Sequence, residues 1–331
     1  MDKIAIIGLG LIGTSMGLAI RQTQNKDFEV VGIDLEPSYT STARKMGAID
    51  REARTIPDAV RDASIVIVAI PVLAMRDLFE FIAEFLSPGA IVTDTGSTKA
   101  DVVSWAEELL PDGVSFVGGH PMAGKETSGP KEAEAALING AVYAICPARS
   151  ATAESVQVIV SLVQAIGAKP YFVDPAEHDS YVAAVSHLPF MLSVSLVNTA
   201  TRSAGWREMG KLASSGFRDI SRLASGDPVM HRDIAVTNRD AIVYWIDELI
   251  KDLHRLRGMV KDDQAALERA LVEAWEARAR WMLGREGEED SPTEGLKASD
   301  QFMGMLLGDT VARRFRDMGQ EKEDPTIYRR D

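Results

Sequence analysis

Short apolar runs alternate with amphipathic stretches over the N-terminal half of the chain. Residues 3–7 form an apolar run that breaks at Gly8, and residues 11–22 then carry apolar positions at helical spacing. The same alternation continues to residue 174. The predicted strands are residues 3–8, 28–34, 65–70, 90–94, 114–117, 141–145 and 169–173, and the predicted helices are residues 11–22, 38–46, 74–86, 99–110 and 153–166. Continuous apolar strands separated by helices are typical of a doubly wound parallel sheet with both faces covered.

The pattern changes after Asp174-Pro175. From residue 176 to residue 284 we find no convincing strand, and long amphipathic stretches dominate. One helical stripe comprises Ile242, Trp245, Ile246, Leu249, Leu253, Leu256 and Val260. A charged stretch containing proline opens the last segment and is typical of a solvated linker. The sequence therefore predicts an α/β domain over 1–174, an all-helical domain over 175–284, and a charged linker with a C-terminal tail over 285–331.

The charge balance limits the classes of partner. The chain has 331 residues, 46% of them hydrophobic, and a formal net charge of −13. Nucleic acids and anionic membrane surfaces bind clustered Lys and Arg, so we expect neither as a partner. Cys146 is the only cysteine and no secretory signal is recognisable, so we expect a cytoplasmic location. The most hydrophobic segment, residues 64–75, is short and contains Pro71, and we therefore expect no membrane span.

A glycine fingerprint lies between the first predicted strand and the first predicted helix. Gly8, Gly10 and Gly13 fit the pattern G-x-G-x-x-G, whose amides and helix N-terminus bind a pyrophosphate. Asp34 ends the second predicted strand, where a carboxylate accepts hydrogen bonds from the adenosine ribose and repels a 2′-phosphate. No Lys or Arg follows it closely, so we expect NAD rather than NADP. FAD is one alternative, and a purely structural turn is another.

The sequence thus predicts a Rossmann-type domain followed by an all-helical domain. We assign the cofactor site to the fingerprint, the acidic residue and two later loops: Gly8, Gly10, Leu11, Ile12, Gly13, Asp34, Ile70, Pro71 and Ser97. We assign no metal site.

A glycine-flanked histidine is the clearest candidate for chemistry. His120 follows Gly118-Gly119 and precedes Pro121, which predicts a tightly constrained turn facing a bound dinucleotide. An unperturbed histidine pKa of about 6.5 suits proton acceptance near neutrality. The alternative is a structural turn histidine.

Five motifs, taken in order, resemble those of a known family. They are Gly8-x-Gly10-x-x-Gly13, Asp94-x-Gly96-Ser97-x-Lys99, Gly119-His120-Pro121-Met122-Ala123-Gly124, Ser186-His187-Leu188-Pro189 and the run from Gly216 to Ala224. With them, residues 3–285 resemble the prephenate and arogenate dehydrogenases of tyrosine biosynthesis. The resemblance implies an NAD-dependent oxidative decarboxylation, in which hydride leaves the ring carbon that bears the 4-hydroxyl and the ring loses CO2. Prephenate would give 4-hydroxyphenylpyruvate, and arogenate would give tyrosine.

The resemblance also implies roles for three residues. Neutral His120 accepts a hydrogen bond or a proton from the 4-hydroxyl, which assists departure of the hydride. Ser97 hydrogen-bonds His120 and orients it, and Arg222 holds the ring carboxylate through a bidentate contact. The structural alternatives are a helix N-cap at Ser97 and a surface arginine at position 222.

The remaining substrate-site assignments follow from the same resemblance. They are His187, Glu126, Lys125, Arg218 and His231. Glu126 is expected near the entrance and Arg218 as a helper of Arg222, whereas His187 could equally be a core histidine.

Three positions depart from the family pattern. Phe190 stands where prephenate-using members often have a second histidine, His231 replaces a frequent tryptophan, and Lys125 replaces a common threonine. These departures leave open whether the substrate carries the keto acid of prephenate or the amino acid of arogenate.

Two other functions stay open at this point. A dehydrogenase of the 3-hydroxyacid type has a similar architecture but relies on a catalytic lysine in the helical domain, and a regulatory protein could bind NAD without turnover. The many amphipathic helices of the second domain suggest a face buried against a second copy. We therefore expect a homodimer formed through the helical domain.

Overall fold

The computed structural model describes residues 2–23 and 28–284 of the chain. Within them a single eight-stranded sheet is formed by β1 Asp2–Ile7, β2 Phe28–Ile33, β3 Arg51–Glu52, β4 Ile65–Val68, β5 Ile91–Asp94, β6 Ser115–Pro121, β7 Val142–Pro147 and β8 Lys169–Phe172. The helices are α1 Leu11–Gln22, α2 Pro37–Met46, α3 Ile56–Val60, α4 Val72–Ile82, α5 Ala100–Leu109, α6 Ala153–Ala165, α7 Pro175–Val182, α8 Leu188–Thr201, α9 Trp206–Leu212, α10 Ser215–Ser221, α11 Pro228–Thr237, α12 Arg239–Asp262 and α13 Gln264–Met282.

The strands are arranged in the order β3-β2-β1-β4-β5-β6-β7-β8. All neighbours pair in parallel except β6 and β7, which pair antiparallel. The order reverses direction between β1 and β4, so the loops after these two strands diverge and leave a crevice at the carboxyl edge of the sheet. The predicted doubly wound sheet is confirmed.

The sheet divides the core of this domain into two layers. Ala5 and Ile7 of β1 belong to one buried cluster, whereas Ile4 and Ile6 belong to the other. Alternate residues of a strand point to opposite faces, so a strand that is covered by helices on both sides is apolar throughout. This burial explains the uninterrupted apolar runs in the sequence.

Each predicted strand and helix of the α/β domain is present, but two elements were missed. The strand β3 has only two residues and the helix α3 has five. Neither is long enough to show a periodicity of its own. The strand β6 is also longer than predicted, because it continues from Val117 through the Gly-Gly-His-Pro segment to Pro121.

The described residues beyond 174 contain no strand, as predicted. A π-helical turn, Ala183–His187, joins α7 to α8 directly before Leu188-Pro189. Proline lacks an amide hydrogen and disturbs the preceding helical turn, which accounts for the irregularity at this point. A small buried cluster around Phe190 and Ile234 packs α8 against α11 and α12.

One expectation about hydropathy was wrong. Among the described residues, the helical stretch Pro175–Thr201 has 27 residues, and its most apolar window of 18 residues has a mean hydropathy of 1.5, which is long and apolar enough to cross a membrane. It also carries His178, Asp179 and His187, whose side chains are buried in the protein. Buried polar residues with protein partners are typical of a helix that packs inside a folded protein. Polar residues interrupt the apolar run of this stretch, so its length is not evident in the sequence.

The chain divides into two compact units, the first ending at Lys251 and the second beginning at Asp252. The boundary predicted at 174/175 is a different division and falls inside the first unit. Contacts between α11 and α4 and between α7 and α5 join the two predicted domains there. The predicted linker and tail over 285–331 lie outside the described residues.

Candidate active site

Four parallel strands bring the predicted site residues to one edge of the sheet. Gly8 follows β1, Ile70 follows β4, Ser97 follows β5, and His120 lies near the end of β6. Because parallel strands end at the same edge, these residues come together although they are far apart in sequence.

The glycines of the fingerprint allow close backbone approaches. Gly8 has a φ of +92°, and a Cβ atom there would lie 2.3 Å from the carbonyl oxygen of Ala69. A Cβ atom at Gly13 would lie 2.0 Å from the carbonyl oxygen of Gly8, so α1 can pack directly against the loop. Gly10, in contrast, faces open space, with no atom within 4 Å of its Cβ position.

The N-terminus of α1 is suited to an anionic ligand. Gly10 is its N-cap and supplies no side-chain acceptor, and no acidic residue lies in the first turn that contains Leu11 and Ile12. Amides at an uncapped helix N-terminus bind phosphate groups. The close-packed loop and the open space at Gly10 therefore fit a dinucleotide pyrophosphate.

The Asp34 carboxylate is held at the end of β2. It accepts hydrogen bonds from the amide of Leu9 at 2.6 Å and from the amide of Glu36 at 2.8 Å. These bonds fix the acidic side chain beside the glycine loop, where the sequence places the adenosine ribose. On the other side of the loop, Ile70 lies 2.8 Å from the Cβ position of Gly8, and Pro71 is the N-cap of α4.

A fully buried ion pair organises the end of β5. The Lys99 ammonium contacts the Asp94 carboxylate, and both side chains have no exposed surface. The same carboxylate accepts hydrogen bonds from the amide of Gly96 at 2.7 Å and from the amide of Gly119 at 3.0 Å. Asp94 thereby ties the loop that carries Ser97 to the strand that carries His120.

His120 lies in a strand and not in a turn, which corrects the prediction. It pairs with Ala144 of β7 and is 8% exposed. The strand continues because Gly119 permits a close approach: a Cβ atom there would lie 2.5 Å from the carbonyl oxygen of Asp94 and 2.7 Å from the hydroxyl of Tyr143. The two glycines therefore extend the strand.

A line of hydrogen bonds leads from His120 to a carboxylate. His120 Nδ1 lies 2.9 Å from His178 Nε2, and His178 Nδ1 lies 2.8 Å from Asp179 Oδ1. Burial, then the neighbouring His178 ring and the Lys99 ammonium, hold the pKa of His120 well below its ordinary value of 6.5. His120 is therefore neutral at physiological pH, as proton acceptance requires.

Ser97 does not cap a helix, and it is not bonded to His120 in this structure. The first amides of α5, those of Lys99 and Ala100, are bound by the Asp179 carboxylate at 2.7 and 2.9 Å. No hydrogen bond joins Ser97 to His120 among the described residues, since His120 Nδ1 faces His178 instead. The capping alternative is wrong because a carboxylate from α7 occupies that position.

His187 is buried beside the same cluster. It is 1% exposed, and its Nδ1 lies 3.2 Å from Nδ2 of Asn238, which also donates to the carbonyl oxygen of Asp179. Burial is the main cause that lowers the pKa of His187 from 6.5 to about 4. It combines a core environment with a position next to the candidate catalytic histidine.

Arg222 and Glu126 form an ion pair across a long sequence separation. The Arg222 guanidinium donates to the Glu126 carboxylate, and the two side chains are 57% and 33% exposed. The hydrogen bond from Arg222 is the main cause that lowers the pKa of Glu126. Arg218, one helical turn before Arg222, is exposed on α10.

Lys125 does not join these residues. Its ammonium lies 2.7 Å from the Glu134 carboxylate and donates to the carbonyl oxygen of Glu132 at 3.0 Å. Its charge is thus bound within its own loop segment, and no ion pair joins it to another predicted site residue.

Phe190 and His231, the two residues of the helical domain that depart from the family pattern, are neighbours in space. The rings of Phe190 and His231 stack in parallel, with centroids 4.2 Å apart and planes inclined by 1°. Burial lowers the pKa of His231, and Asp227 opposes that shift. Phe190 is only 5% exposed, so its ring is largely covered, in part by His231.

Sequence reasoning missed His178, Asp179 and Asn238. The signal for the first two was a His-Asp pair in the first turns of a helix that opens with Asp174-Pro175. Adjacent residues of this kind are common on solvated helix surfaces, and only the fold shows that both are buried against β6 and α5. Lys99 is part of the Asp94-x-Gly96-Ser97-x-Lys99 motif, but the sequence assigned it no role in the site.

The fold and the site define a class of protein. A sheet with a glycine-rich crevice for a dinucleotide, next to a buried neutral histidine, is the arrangement of an NAD-dependent oxidoreductase.

Comparison with protein families makes the assignment specific. Residues 16–172 match the prephenate dehydrogenase nucleotide-binding domain, and residues 174–275 match the prephenate dehydrogenase dimerization domain. The chain belongs to the prephenate dehydrogenase family. It is an NAD-dependent enzyme of oxidative decarboxylation in tyrosine biosynthesis.

Individual relatives agree with this assignment. The prephenate dehydrogenase of Bacillus subtilis is 36% identical over 266 residues, which cover 80% of this chain and 71% of the relative. The crystal structure of prephenate dehydrogenase from A. aeolicus in complex with hydroxyphenyl propionate and NAD+ has a TM-score of 0.78 and 28% identity, covering 85% of this chain and 98% of that one. The Synechocystis arogenate dehydrogenase structure has a TM-score of 0.71 and 30% identity, covering 84% and 99%.

Proposed function

We propose that this enzyme oxidises prephenate, arogenate or both, with His120 as the acceptor of the 4-hydroxyl proton. The observation that carries the proposal is the place of His120, a buried neutral imidazole at the carboxyl edge of the sheet beside the dinucleotide crevice. When bound, NAD supplies the acceptor for the hydride that leaves the ring carbon.

His120 is proposed to accept the proton of the reacting hydroxyl and to return it later. As hydride departs, positive charge develops on the carbinol carbon, and partial transfer of the hydroxyl proton to His120 Nε2 relieves it. Loss of the ring carboxylate as CO2 returns an electron pair to the ring, and His120 gives the proton back to the phenolic oxygen. One hydride and one CO2 leave the substrate, and no net proton is consumed.

Arg222 is proposed to bind the ring carboxylate. A guanidinium can hold a carboxylate through two parallel hydrogen bonds. In the structure Arg222 donates to Glu126, so the substrate carboxylate would displace or share this contact. Glu126 thereby keeps Arg222 at the entrance in the absence of substrate, and Arg218 is proposed as an additional cation on the same helical segment.

The substrate side chain is proposed to lie against the Phe190–His231 stack, next to His187. His231 is mainly neutral near pH 7 because burial lowers its pKa, and the Lys125 charge is bound by Glu134. These residues therefore offer little local positive charge to a side-chain carboxylate. Both the keto acid of prephenate and the amino acid of arogenate therefore stay candidates for the substrate side chain that lies beside these residues.

We propose a homodimer that forms through the helical domain and acts in the cytoplasm. Exposed apolar side chains on α12, Val243, Tyr244 and Ile250, together with Val185 in the turn before α8, support this arrangement. Val185 is 71% exposed, and apolar side chains that together form a patch are typical of surfaces that bind another protein. The match to a dimerization domain over residues 174–275 supports the same proposal.

The proposed reaction is tested by assaying the purified enzyme with NAD and each substrate separately. We expect NADH and CO2 to form in equal amounts from at least one of the two. The ratio of the two kcat/KM values then identifies the preferred side chain. NADH formation without CO2, or turnover of simple 3-hydroxyacids only, would contradict the proposal and favour another dehydrogenase class.

A further inference from the structure

Two residues of α7 lie behind the candidate catalytic histidine and have no part in the reaction as proposed above. His178 is 2% exposed and Asp179 is 4% exposed, and both make hydrogen bonds within the protein. We infer that His178 and Asp179 are positioning residues that hold His120 in the tautomer with a proton on Nδ1 and a free lone pair on Nε2. This inference rests on the proposed role of His120.

The Asp179 carboxylate fixes the direction of the hydrogen bonds. Its oxygen Oδ1 accepts the Lys99 amide at 2.7 Å, and Oδ2 accepts the Ala100 amide at 2.9 Å. A carboxylate so bound is an acceptor, so His178 Nδ1, 2.8 Å from Oδ1, must carry a proton and donate it. The carboxylate cannot rotate without breaking both helix-cap bonds.

The position of the proton on His178 in turn determines which ring nitrogen of His120 carries a proton. A single ring proton on His178 Nδ1 leaves a lone pair on Nε2, and that atom faces His120 Nδ1 at 2.9 Å. His120 must therefore donate from Nδ1, which leaves the lone pair of Nε2 for the substrate hydroxyl. The opposite tautomer would place two lone pairs against each other and would present an N–H to the substrate.

The surroundings of His120 favour this neutral arrangement. Burial is the main cause that disfavours a cation on His120, and the His178 ring, the Lys99 ammonium and the His187 ring act in the same direction. When His120 accepts a proton, the line of bonds to Asp179 places a carboxylate one ring away from the new charge. The pair thus orients His120 at rest and stabilises it when it is charged.

The tautomer is measured directly by nitrogen NMR. The chain has five histidines, so protein labelled with 15N-histidine gives few signals, and histidine variants assign them. We expect the neutral His120 ring of the wild type to carry its proton on Nδ1. In His178→Leu we expect a mixture that includes the Nε2–H form, whereas His254→Leu, at an exposed position, should leave the His120 signals unchanged.

Kinetics separate positioning from simple structural support. We expect His178→Leu to lower kcat by about 10- to 100-fold with KM for the substrate nearly unchanged. His178→Gln should recover much of that loss, because its amide can donate to Asp179 and its carbonyl can accept from His120 Nδ1. Circular dichroism and NAD binding show that each variant is folded.

The outcomes decide between the alternatives. An Nε2–H tautomer of His120 in the wild type would overturn the inference, as would a His178→Leu variant with unchanged tautomer and kcat. Equal losses in His178→Leu and His178→Gln with an unchanged tautomer would assign a structural role only. The spectra need no substrate, so a wild type that turns over neither substrate would refute the proposed function while leaving the tautomer assignment to be judged separately.

Discussion

At the scale of single residues, the site depends on keeping an imidazole neutral and directed. His120 has almost no exposed surface, and its neighbours are a second ring and a buried ammonium. Solvent cannot stabilise an imidazolium there, so the unprotonated form persists to pH values below the ordinary range. The same burial would make a misplaced proton costly, which is why the orientation of the ring matters.

The lowered pKa of His120 predicts the acid limb of the activity profile. The neutral form is the active one, so kcat/KM should be constant at neutral pH and should fall only as the pH drops through the folded pKa, well below 6.5. A pH profile of kcat/KM measures this directly. An acid limb at or above 6.5 would show that His120 is not buried as described or is not the acceptor.

Arg222 should contribute to binding more than to the chemical step. In Arg222→Lys the charge remains but the bidentate contact is lost, so we expect KM for the substrate to rise by about 10- to 100-fold with kcat little changed. Arg202→Lys, at an exposed position near the end of α8, is the matched control and should behave like the wild type. A change in kcat alone would contradict the assigned role.

At the scale of elements, β6 lies closer to its neighbouring strands at Gly119 than a side chain at that position would allow. Gly119 lies between the Asp94 carbonyl and the Tyr143 hydroxyl, and its amide donates to the Asp94 carboxylate. These contacts bring the catalytic strand against β5 and β7. The position of His120 is therefore a consequence of backbone packing as much as of its own hydrogen bonds.

Gly119→Ala should distort this packing. Its Cβ atom would meet a backbone oxygen at 2.5 Å, so we expect a loss of about 2 kcal/mol or more in the free energy of unfolding. Gly124→Ala is the matched control, because no atom lies within 4 Å of its Cβ position. Urea unfolding of the two variants measures the difference, and equal midpoints would contradict the account.

The sequence predicts long elements and local motifs better than contacts between distant segments. The longer strands and helices of the α/β domain carry their own periodicity, so they were predicted, whereas the short β3 and α3 were not. The extension of β6 through His120 was missed, because Gly-Gly and Pro favour turns locally and only pairing with β7 makes them a strand. The hydrogen bond between His120 and His178 joins residues 58 positions apart, and no local sequence pattern predicts it.

At the scale of the whole molecule, the buried histidines link stability to pH. Burial lowers the folded-state pKa of His187 to about 4, below the ordinary value of 6.5. The unfolded chain therefore binds a proton more readily than the folded chain does. Stability contributed by the neutral ring is complete above 6.5 and is lost progressively as the pH falls toward 4.

This linkage predicts a measurable loss of stability in acid. His187 alone should remove about 3 kcal/mol from the free energy of unfolding between pH 6.5 and pH 4, and His120 adds to the loss in the same direction. Denaturation measured across this range should show a steeper pH dependence for the wild type than for His187→Gln. Equal slopes would contradict the burial of a neutral ring.

His120 is proposed to accept the proton of the reacting hydroxyl. The measurement that tests it most directly is kcat for His120→Asn, with NAD binding measured on the same preparation. We predict that kcat falls by about 10²- to 10⁴-fold while the dissociation constant for NAD stays near the wild-type value. A variant that binds NAD and keeps wild-type kcat would contradict the account.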